Sequence, residues 1–208
     1  MPIKFKSFPA LILYVIFTLS TSCKNDTTND PVAYFHYVID KKNGLFQEKI
    51  AGNYAYSIQY KPSTYMALTD NENFPLSSES LVLQESEYEA RQYYTFRIKV
   101  ASDTEHLDIL TYNLSSEKEY NDRVRYIETE IQNDICLVCD NDTSKVSSFL
   151  YEKSSDLNDY TSFLISFPST PNNEADRKFI FRDKKFKSGV IIFTIKASDI
   201  ANALKYNP

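Results

Sequence analysis

Two segments of the chain alternate between apolar and polar side chains, and this period of two limits what the chain can fold into. In residues 53–61 a tyrosine or isoleucine occupies every second position, and residues 94–100 repeat the pattern with aromatic and aliphatic residues. Successive side chains of a strand point to opposite faces, so the pattern predicts two strands that each bury one face. Gly52 and Asn53 predict a tight turn that joins the first of them to an extended segment over about 45–50.

Other segments carry helical signals. Asp30 and Pro31 suit the cap and first position of a helix over about 31–40. Ser116, followed three residues later by Glu119, matches a capping box. It predicts a helix over 116–131 with an apolar stripe of Tyr120, Val124, Ile127 and Ile131.

The remaining elements complete the fold prediction. Shorter helices are predicted over 63–71, 77–92 and 198–204, the last with Ser198 and Asp199 as its cap, and further strands over 134–139, 148–152, 160–167, 178–183 and 190–196. Strands joined by short polar turns, with helices between them, predict an α+β domain. We expect mainly an antiparallel β-sheet with helices packed on one face.

The N-terminal segment predicts an exported protein. Lys4 and Lys6 precede an apolar run of about ten residues, 8–17, which is the length of a secretory signal core. A membrane-spanning helix needs roughly 20 apolar residues. We therefore predict a signal peptide over residues 1–22, a flexible polar tether over 23–30, and a single domain over 31–208.

Thr21, Ser22 and Cys23 resemble the bacterial lipoprotein box, in which the cysteine thiol is joined to diacylglycerol and a peptidase cuts directly before it. The box usually carries leucine three residues before the cysteine, whereas here that position is Ser20 and the leucine is Leu19. This looser form resembles the boxes of Bacteroidota lipoproteins. The resemblance implies lipidation of Cys23 and anchoring in the outer membrane. An ordinary signal peptide cut nearby, with Cys23 as a spare thiol, is the alternative.

Further segments extend the resemblance. The acidic residues directly after Cys23 resemble the signal that sends a Bacteroidota lipoprotein to the cell surface, and a periplasm-facing orientation is the alternative. Asp30-Pro31, Asn43-Gly44-Leu45, Tyr60-Lys61-Pro62, residues 189–193 and Asp199-Ile200 together resemble a group of uncharacterised Bacteroidota lipoproteins. No activity comes with this resemblance. It implies only a lipid-anchored protein whose partner is the bilayer, through Cys23.

The charge balance argues against nucleic acid as a partner. Removal of residues 1–22 takes away two of the 23 lysines and arginines and none of the 28 acidic residues, which leaves a net charge of −7. Proteins that bind phosphate backbones carry clustered lysine and arginine. The one basic cluster, Arg177-Lys178 with residues 182–187, is interpreted as a solvated hairpin tip.

Cys136 and Cys139 form a CxxC motif within an apolar, strand-like run. A redox CxxC places its first cysteine at a helix N-terminus, where the thiol pKa is lowered. Residues three apart on a strand face opposite sides. We therefore predict two buried thiols, with a disulfide across a bulge or strand end and then a metal site as the alternatives.

The other candidate residues carry little chemistry. His36 and His106 are interpreted as structural or surface residues, and Asp140-Asn141-Asp142 as a solvated turn that lacks the rest of a calcium loop. We predict no catalytic, cofactor or metal site. The function predicted is a non-catalytic accessory or binding module at the cell envelope, with a protein or polymer partner. The alternatives are a hydrolase acting on an extracellular glycan or peptide polymer and a structural component of the envelope.

Overall fold

The computed structural model describes residues 26–71, 76–102, 107–152, 160–170 and 174–208. The helices are α1 Pro31–Ile39, α2 Ser63–Thr69, α3 Ser78–Tyr88, α4 Glu117–Arg125 and α5 Ala197–Ala201. The strands are β1 Thr27–Thr28, β2 Phe46–Ala51, β3 Tyr54–Lys61, β4 Arg91–Val100, β5 Ile135–Cys139, β6 Asp142–Lys145, β7 Ser148–Glu152, β8 Thr161–Pro168, β9 Arg177–Arg182, β10 Val190–Ile195 and β11 Lys205–Tyr206. The predicted α+β class with mainly antiparallel strands is confirmed. Among the described helices, none combines the length and the apolar composition needed to cross a bilayer.

Most strands lie in two antiparallel sheets that pack face to face. One sheet has the order β2-β3-β4-β8-β7 and the other β10-β9-β5-β6. Aromatic rings meet between them: the ring centroid of Phe96 lies 5.2 Å from that of Phe179 and 5.2 Å from that of Phe181. All three rings are fully buried. The apolar side of the alternating pattern in β4 therefore faces the second sheet, whereas α1 and α2 lie against β3.

Residues 26–30 belong to the folded domain. β1 pairs in parallel with β11, and the Lys205 N–H donates to the Asp26 carbonyl at 3.0 Å. The Asp30 carboxylate then accepts from the Val32 N–H at 2.9 Å and caps α1 as predicted. The predicted flexible tether is therefore wrong for residues 26–30, because the C-terminal strand supplies backbone partners that the polar composition does not reveal. Residues 1–22 and 23–25 lie outside the described residues.

The longest predicted helix is present but changes its winding. After α4 ends at Arg125, the chain continues as a π-helical turn, Tyr126–Glu130, and a 3-10 turn, Ile131–Asp134. The wider turn shifts the predicted apolar stripe around the helix axis. Ile127 is fully buried, whereas Tyr120, which lies in α4 before this turn, is 39% exposed, so the stripe is wrong at its N-terminal end.

The two predicted helix caps have different outcomes. The Ser116 hydroxyl accepts from the Glu119 N–H at 3.2 Å, which confirms the N-cap of α4. The predicted cap of α5 is wrong: its N-cap is Lys196, without a side-chain hydrogen bond. Asp199 lies inside the first turn of α5, and its carboxylate packs over Gly44 instead.

Candidate functional site

An open cavity of about 450 Å³ lies at one end of the sandwich. Its walls come from the end of β3, the beginning of β4 and β9, the segment after β8, and the edges of α2 and α3. The lining includes three cationic side chains, Lys61, Arg91 and Arg177, and one carboxylate, Glu89. Two tyrosines, two serines and one threonine add hydroxyl groups. We call this cavity the basic pocket.

Arg177 is the residue of the basic pocket that most needs an explanation, because this charged side chain is only 4% exposed. Its Nε donates to Gln92 Oε1 at 3.0 Å, and its Nη1 donates to the Ala175 carbonyl at 3.0 Å. Both acceptors are neutral, and no carboxylate oxygen of the described residues lies within the 4.0 Å of an ion pair. Burial of a cation is costly without an opposite charge. The described residues therefore leave the positive charge of Arg177 uncompensated.

Gln92 fixes the position of the Arg177 guanidinium. The same Oε1 atom accepts from the Tyr94 hydroxyl at 3.3 Å, and Gln92 Nε2 donates to the Pro168 carbonyl at 3.2 Å. Gln92 is 6% exposed and Tyr94 is fully buried. The amide thus has partners on both of its polar atoms, so the guanidinium is held ready before any ligand arrives.

Lys61 and Tyr60 bring a second charge and an aromatic wall to the pocket. Burial lowers the pKa of Lys61 from its usual value, against the opposing effect of the Glu152 carboxylate. Lys61 Nζ lies 5.2 Å from the ring centroid of Tyr65, where a cation is stabilised by the ring face. Burial also raises the pKa of Tyr60, and the nearby positive charge of Arg177 partly counteracts this.

These features suit the basic pocket to an oxyanion. A planar guanidinium matches carboxylate, phosphate and sulfate oxygens with paired N–H donors. Partial burial lowers the local dielectric constant, which strengthens the attraction. The cavity volume of about 450 Å³ also lies within the range of roughly 300–1,000 Å³ that is common for small-molecule sites.

A second cavity of about 470 Å³ surrounds Arg123 near the β2–β3 turn. Arg123 is also buried, and its Nη1 donates to the carbonyls of Ile109 and Tyr112, each at 2.7 Å. These bonds fasten the preceding loop to α4. The lining of this cavity includes the carboxylates of Glu119 and Asp122. The cavity therefore carries both positive and negative side chains, and Arg123 serves to hold the preceding loop against α4.

The two cysteines of the CxxC motif are free and buried, as predicted. In β5, Cys139 lies opposite Arg177 and Cys136 lies opposite Ile180 of the neighbouring strand. Their positions three apart place the thiols on opposite faces of the sheet. Burial raises the pKa of Cys139, while Arg182 Nη1 lies 3.2 Å from Cys136 Sγ.

The other predicted candidates are not brought together. His36 lies exposed on α1, and His106 lies outside the described residues. Asp140 and Asn141 form the exposed turn between β5 and β6. No group of three potential metal ligands occurs among the described residues. Cys23 also lies outside them, so its lipidation stays a prediction.

The interpretation of the basic cluster as a solvated hairpin tip is wrong for Arg177, which is buried. The signal that could have found it is parity: Arg177 is separated by two and four positions from Phe179 and Phe181, which are fully buried. Side chains with this spacing share one face of a strand. Lys178, of opposite parity, is exposed.

No protein-family model, curated protein or solved structure matches this chain. The chemistry of the basic pocket is therefore interpreted from its own residues.

Proposed function

We propose that this chain is a lipid-anchored protein of the outer membrane, and that it acts as a non-catalytic module that binds an anionic ligand in the basic pocket. The observation that carries the binding role is Arg177: a buried guanidinium whose hydrogen-bond partners among the described residues are neutral, at the wall of an open cavity. The ligand is an oxyanion, either a small molecule or the acidic end of a polymer or protein at the envelope. We propose that the anchored domain lies on the outer, cell-surface side of this membrane and does not face the periplasm.

The ligand would supply the negative charge that the described part of the chain does not place beside Arg177. Arg177 donates through Nε and Nη1 to described residues, which leaves further N–H groups of its five for a ligand. Lys61 and Arg91 line the same cavity and add charge attraction. Glu89 is the one carboxylate of the described lining, whereas glycoside hydrolysis requires a pair. Binding therefore suits this pocket better than the alternative, hydrolysis.

The binding role is tested by calorimetric titration of the detergent-solubilised, full-length protein with glucuronate, inorganic phosphate and sulfate, and with glucose as the neutral probe. We expect at least one anion to bind and glucose to give no heat of binding. The affinity should fall as ionic strength rises, because charge attraction is screened. Absence of binding by all three anions would contradict the proposal.

Matched variants assign the binding to the pocket. Arg177→Gln should weaken anion binding about tenfold or more, since it removes a charge-assisted contact. Lys178→Gln removes the same charge from the next residue, which is exposed, and should leave the affinity unchanged. Arg91→Gln, at an exposed position of the pocket wall, keeps the test informative if Arg177→Gln does not fold. Equal losses in Arg91→Gln and Lys178→Gln would point to a non-specific charge effect.

The anchor has its own test. Mass spectrometry of the natural protein should show a mature chain that begins at Cys23 and carries diacylglycerol. Cys23→Ala should move the protein out of the membrane fraction, whereas Cys136→Ala should not. A mature N-terminus at another residue, without fatty acid, would contradict the anchor.

A further inference from the structure

We infer that the outer face of α1 lies on the lipid bilayer, so that a protein surface as well as the acyl chains fixes the domain at the membrane. This inference rests on the proposed anchor at Cys23. It goes beyond that proposal because it names the surface that contacts the lipid and hence the orientation of the domain.

Each side of α1 carries aliphatic or aromatic residues, but the domain buries those of only one side. Tyr34 is 1% exposed and Val38 is fully buried. On the opposite side, Val32, His36 and Ile39 follow the spacing of four and three residues that forms one helix face. Val32 is 60% exposed and Ile39 is 48% exposed. Within the described residues, protein therefore covers only about half or less of each of these two aliphatic side chains.

The proposed anchor reaches this part of the domain first. Three Cα steps of at most about 3.6 Å separate Cys23 from Asp26, so the two Cα atoms lie no more than about 11 Å apart. The Asp26 carbonyl is bonded to the Lys205 N–H, which fixes Asp26 on the domain. The Asp30 N–H donates to Thr28 Oγ1 at 3.1 Å, and the Asp30 carboxylate caps α1. Hydrogen bonds therefore hold the chain in place from Asp26 to the beginning of α1, which keeps the beginning of α1 close to the anchored end.

A bilayer suits this face better than a second copy of the chain. A stable protein interface buries roughly 800 Å² on each partner, and two aliphatic side chains contribute only a small part of that. A helix at the membrane interface sinks its apolar side about 5–10 Å into the headgroup region. For a domain that is already anchored, even a few apolar side chains suffice to choose an orientation, because the acyl chains supply the affinity.

The protein contains no tryptophan, so one introduced tryptophan reports the depth of a single position. Val32→Trp tests α1, and Val190→Trp is the matched control, because the two valines are 60% and 59% exposed. Val190 begins β10 beside Ser188, whose hydroxyl donates to the Ala51 carbonyl next to the β2–β3 turn. Tyr34 of α1 instead contacts Tyr206 of β11. The control position therefore lies near the β2–β3 turn, whereas the helix that carries the reporter position lies against β11.

The lipidated, mature variants, which begin at Cys23, are reconstituted into phosphatidylethanolamine and phosphatidylglycerol vesicles with brominated acyl chains. We expect the fluorescence of Val32→Trp to be quenched several-fold more strongly than that of Val190→Trp, with emission at shorter wavelength. Ile39→Trp should behave like Val32→Trp and serves as the second reporter if one variant does not fold. Circular dichroism identifies variants that retain the fold.

Flotation of the same samples separates the two proposals. Protein that floats with the vesicles but shows equal quenching at positions 32, 39 and 190 would overturn the inference and leave the anchor intact. Protein that does not float would contradict the anchor and the inference together. A disulfide-linked dimer of Val32→Cys or Ile39→Cys, with no quenching of the corresponding tryptophan variant, would also overturn the inference and identify a second copy as the occupant of this face.

Discussion

The side-chain amide of Gln47 bonds both backbone polar groups of Thr194: its Nε2 donates to the Thr194 carbonyl at 2.6 Å, and its Oε1 accepts from the Thr194 N–H at 3.3 Å. Gln47 belongs to β2 and Thr194 to β10, which are edge strands of the two different sheets. The amide thus occupies the place of a neighbouring strand at the edge of β10. The Lys49 ammonium donates to the Ile192 carbonyl on the same strand.

Loss of this contact should weaken the closure of the sandwich. Gln47→Met keeps the length of the side chain and removes two neutral hydrogen bonds, so we expect the free energy of unfolding to fall by about 1–2 kcal/mol. Gln132→Met is the control, because the hydrogen bond of Gln132 Nε2 within the described residues is a local one, to the Thr129 carbonyl. Its effect should stay within about 0.5 kcal/mol. Urea unfolding measures both, and equal values would contradict the assignment.

Gly44 should be far less replaceable than Gly189. Both have positive φ, +76° and +78°, but a Cβ on Gly44 would lie 2.1 Å from Asp199 Oδ2, while a Cβ on Gly189 has no atom within 4 Å. Gly189→Ala should cost about 1–2 kcal/mol for the left-handed backbone alone. Gly44→Ala adds overpacking, which raises the cost by about 1–3 kcal/mol. Thermal unfolding compares the two variants.

A second substitution identifies the cause. If the clash with Asp199 is responsible, Asp199→Ala should restore part of the stability lost in Gly44→Ala and should restore none of that lost in Gly189→Ala. Equal behaviour in the two backgrounds would mean that backbone conformation explains the whole effect.

Stability should fall at alkaline pH because of buried tyrosines such as Tyr60. Burial raises the pKa of Tyr60, against the effect of Arg177, so the native state keeps a proton that the unfolded chain releases above about pH 10. This contribution to stability is complete below the pKa of the unfolded chain and is lost as the pH rises through the raised, folded-state pKa. Tyr60→Phe should make the free energy of unfolding fall less steeply above about pH 10. Tyr120→Phe, at an exposed position, is the control and should keep the original slope.

Gln92→Glu should weaken anion binding in the basic pocket. The variant places a carboxylate at the position of Oε1, which lies 3.0 Å from Arg177 Nε, and so puts a negative charge directly beside the guanidinium. We expect the affinity for inorganic phosphate to fall about tenfold or more. Stability should change little, since the gained ion pair offsets the lost bond to the Pro168 carbonyl. Gln132→Glu adds the same charge elsewhere, and phosphate binding that survives Gln92→Glu undiminished would exclude Arg177 as the anion site.

The strands were predictable because apolar and polar residues alternate along β3 and β4. The prediction that β3 buries only one face is wrong: residues 54–59 are all buried, because α1 and α2 also lie against this strand. The alternation does not show what covers either face, so the division into two sheets was not predictable. In β9 the same parity marks Arg177 as inward-facing. The positive charge of Arg177 predicts an exposed side chain, whereas its position in the pattern predicts a buried one. The hairpin-tip interpretation followed the charge, and the side chain is buried.

The basic pocket itself could not be predicted from one sequence. Lys61, Arg91 and Arg177 lie on three strands, and only the pairing of β3 with β4 and the packing of β9 against them bring the three together. The strands β1, β6 and β11 were missed for a related reason. Each has four residues or fewer, and their pairing, not their composition, makes them strands.

The parallel pairing of β1 with β11 determines how the protein would bear mechanical load. Any drag on an anchored domain pulls first on residue 26, and the hydrogen bonds of Asp26 to Lys205 and of Thr28 to Asn207 resist that pull. Removal of residues 205–208 would abolish both bonds, and residues 26–30 would then lengthen the linker between the anchor and the domain. In a domain anchored as proposed, residues 205–208 therefore set how far from the membrane the domain can stand.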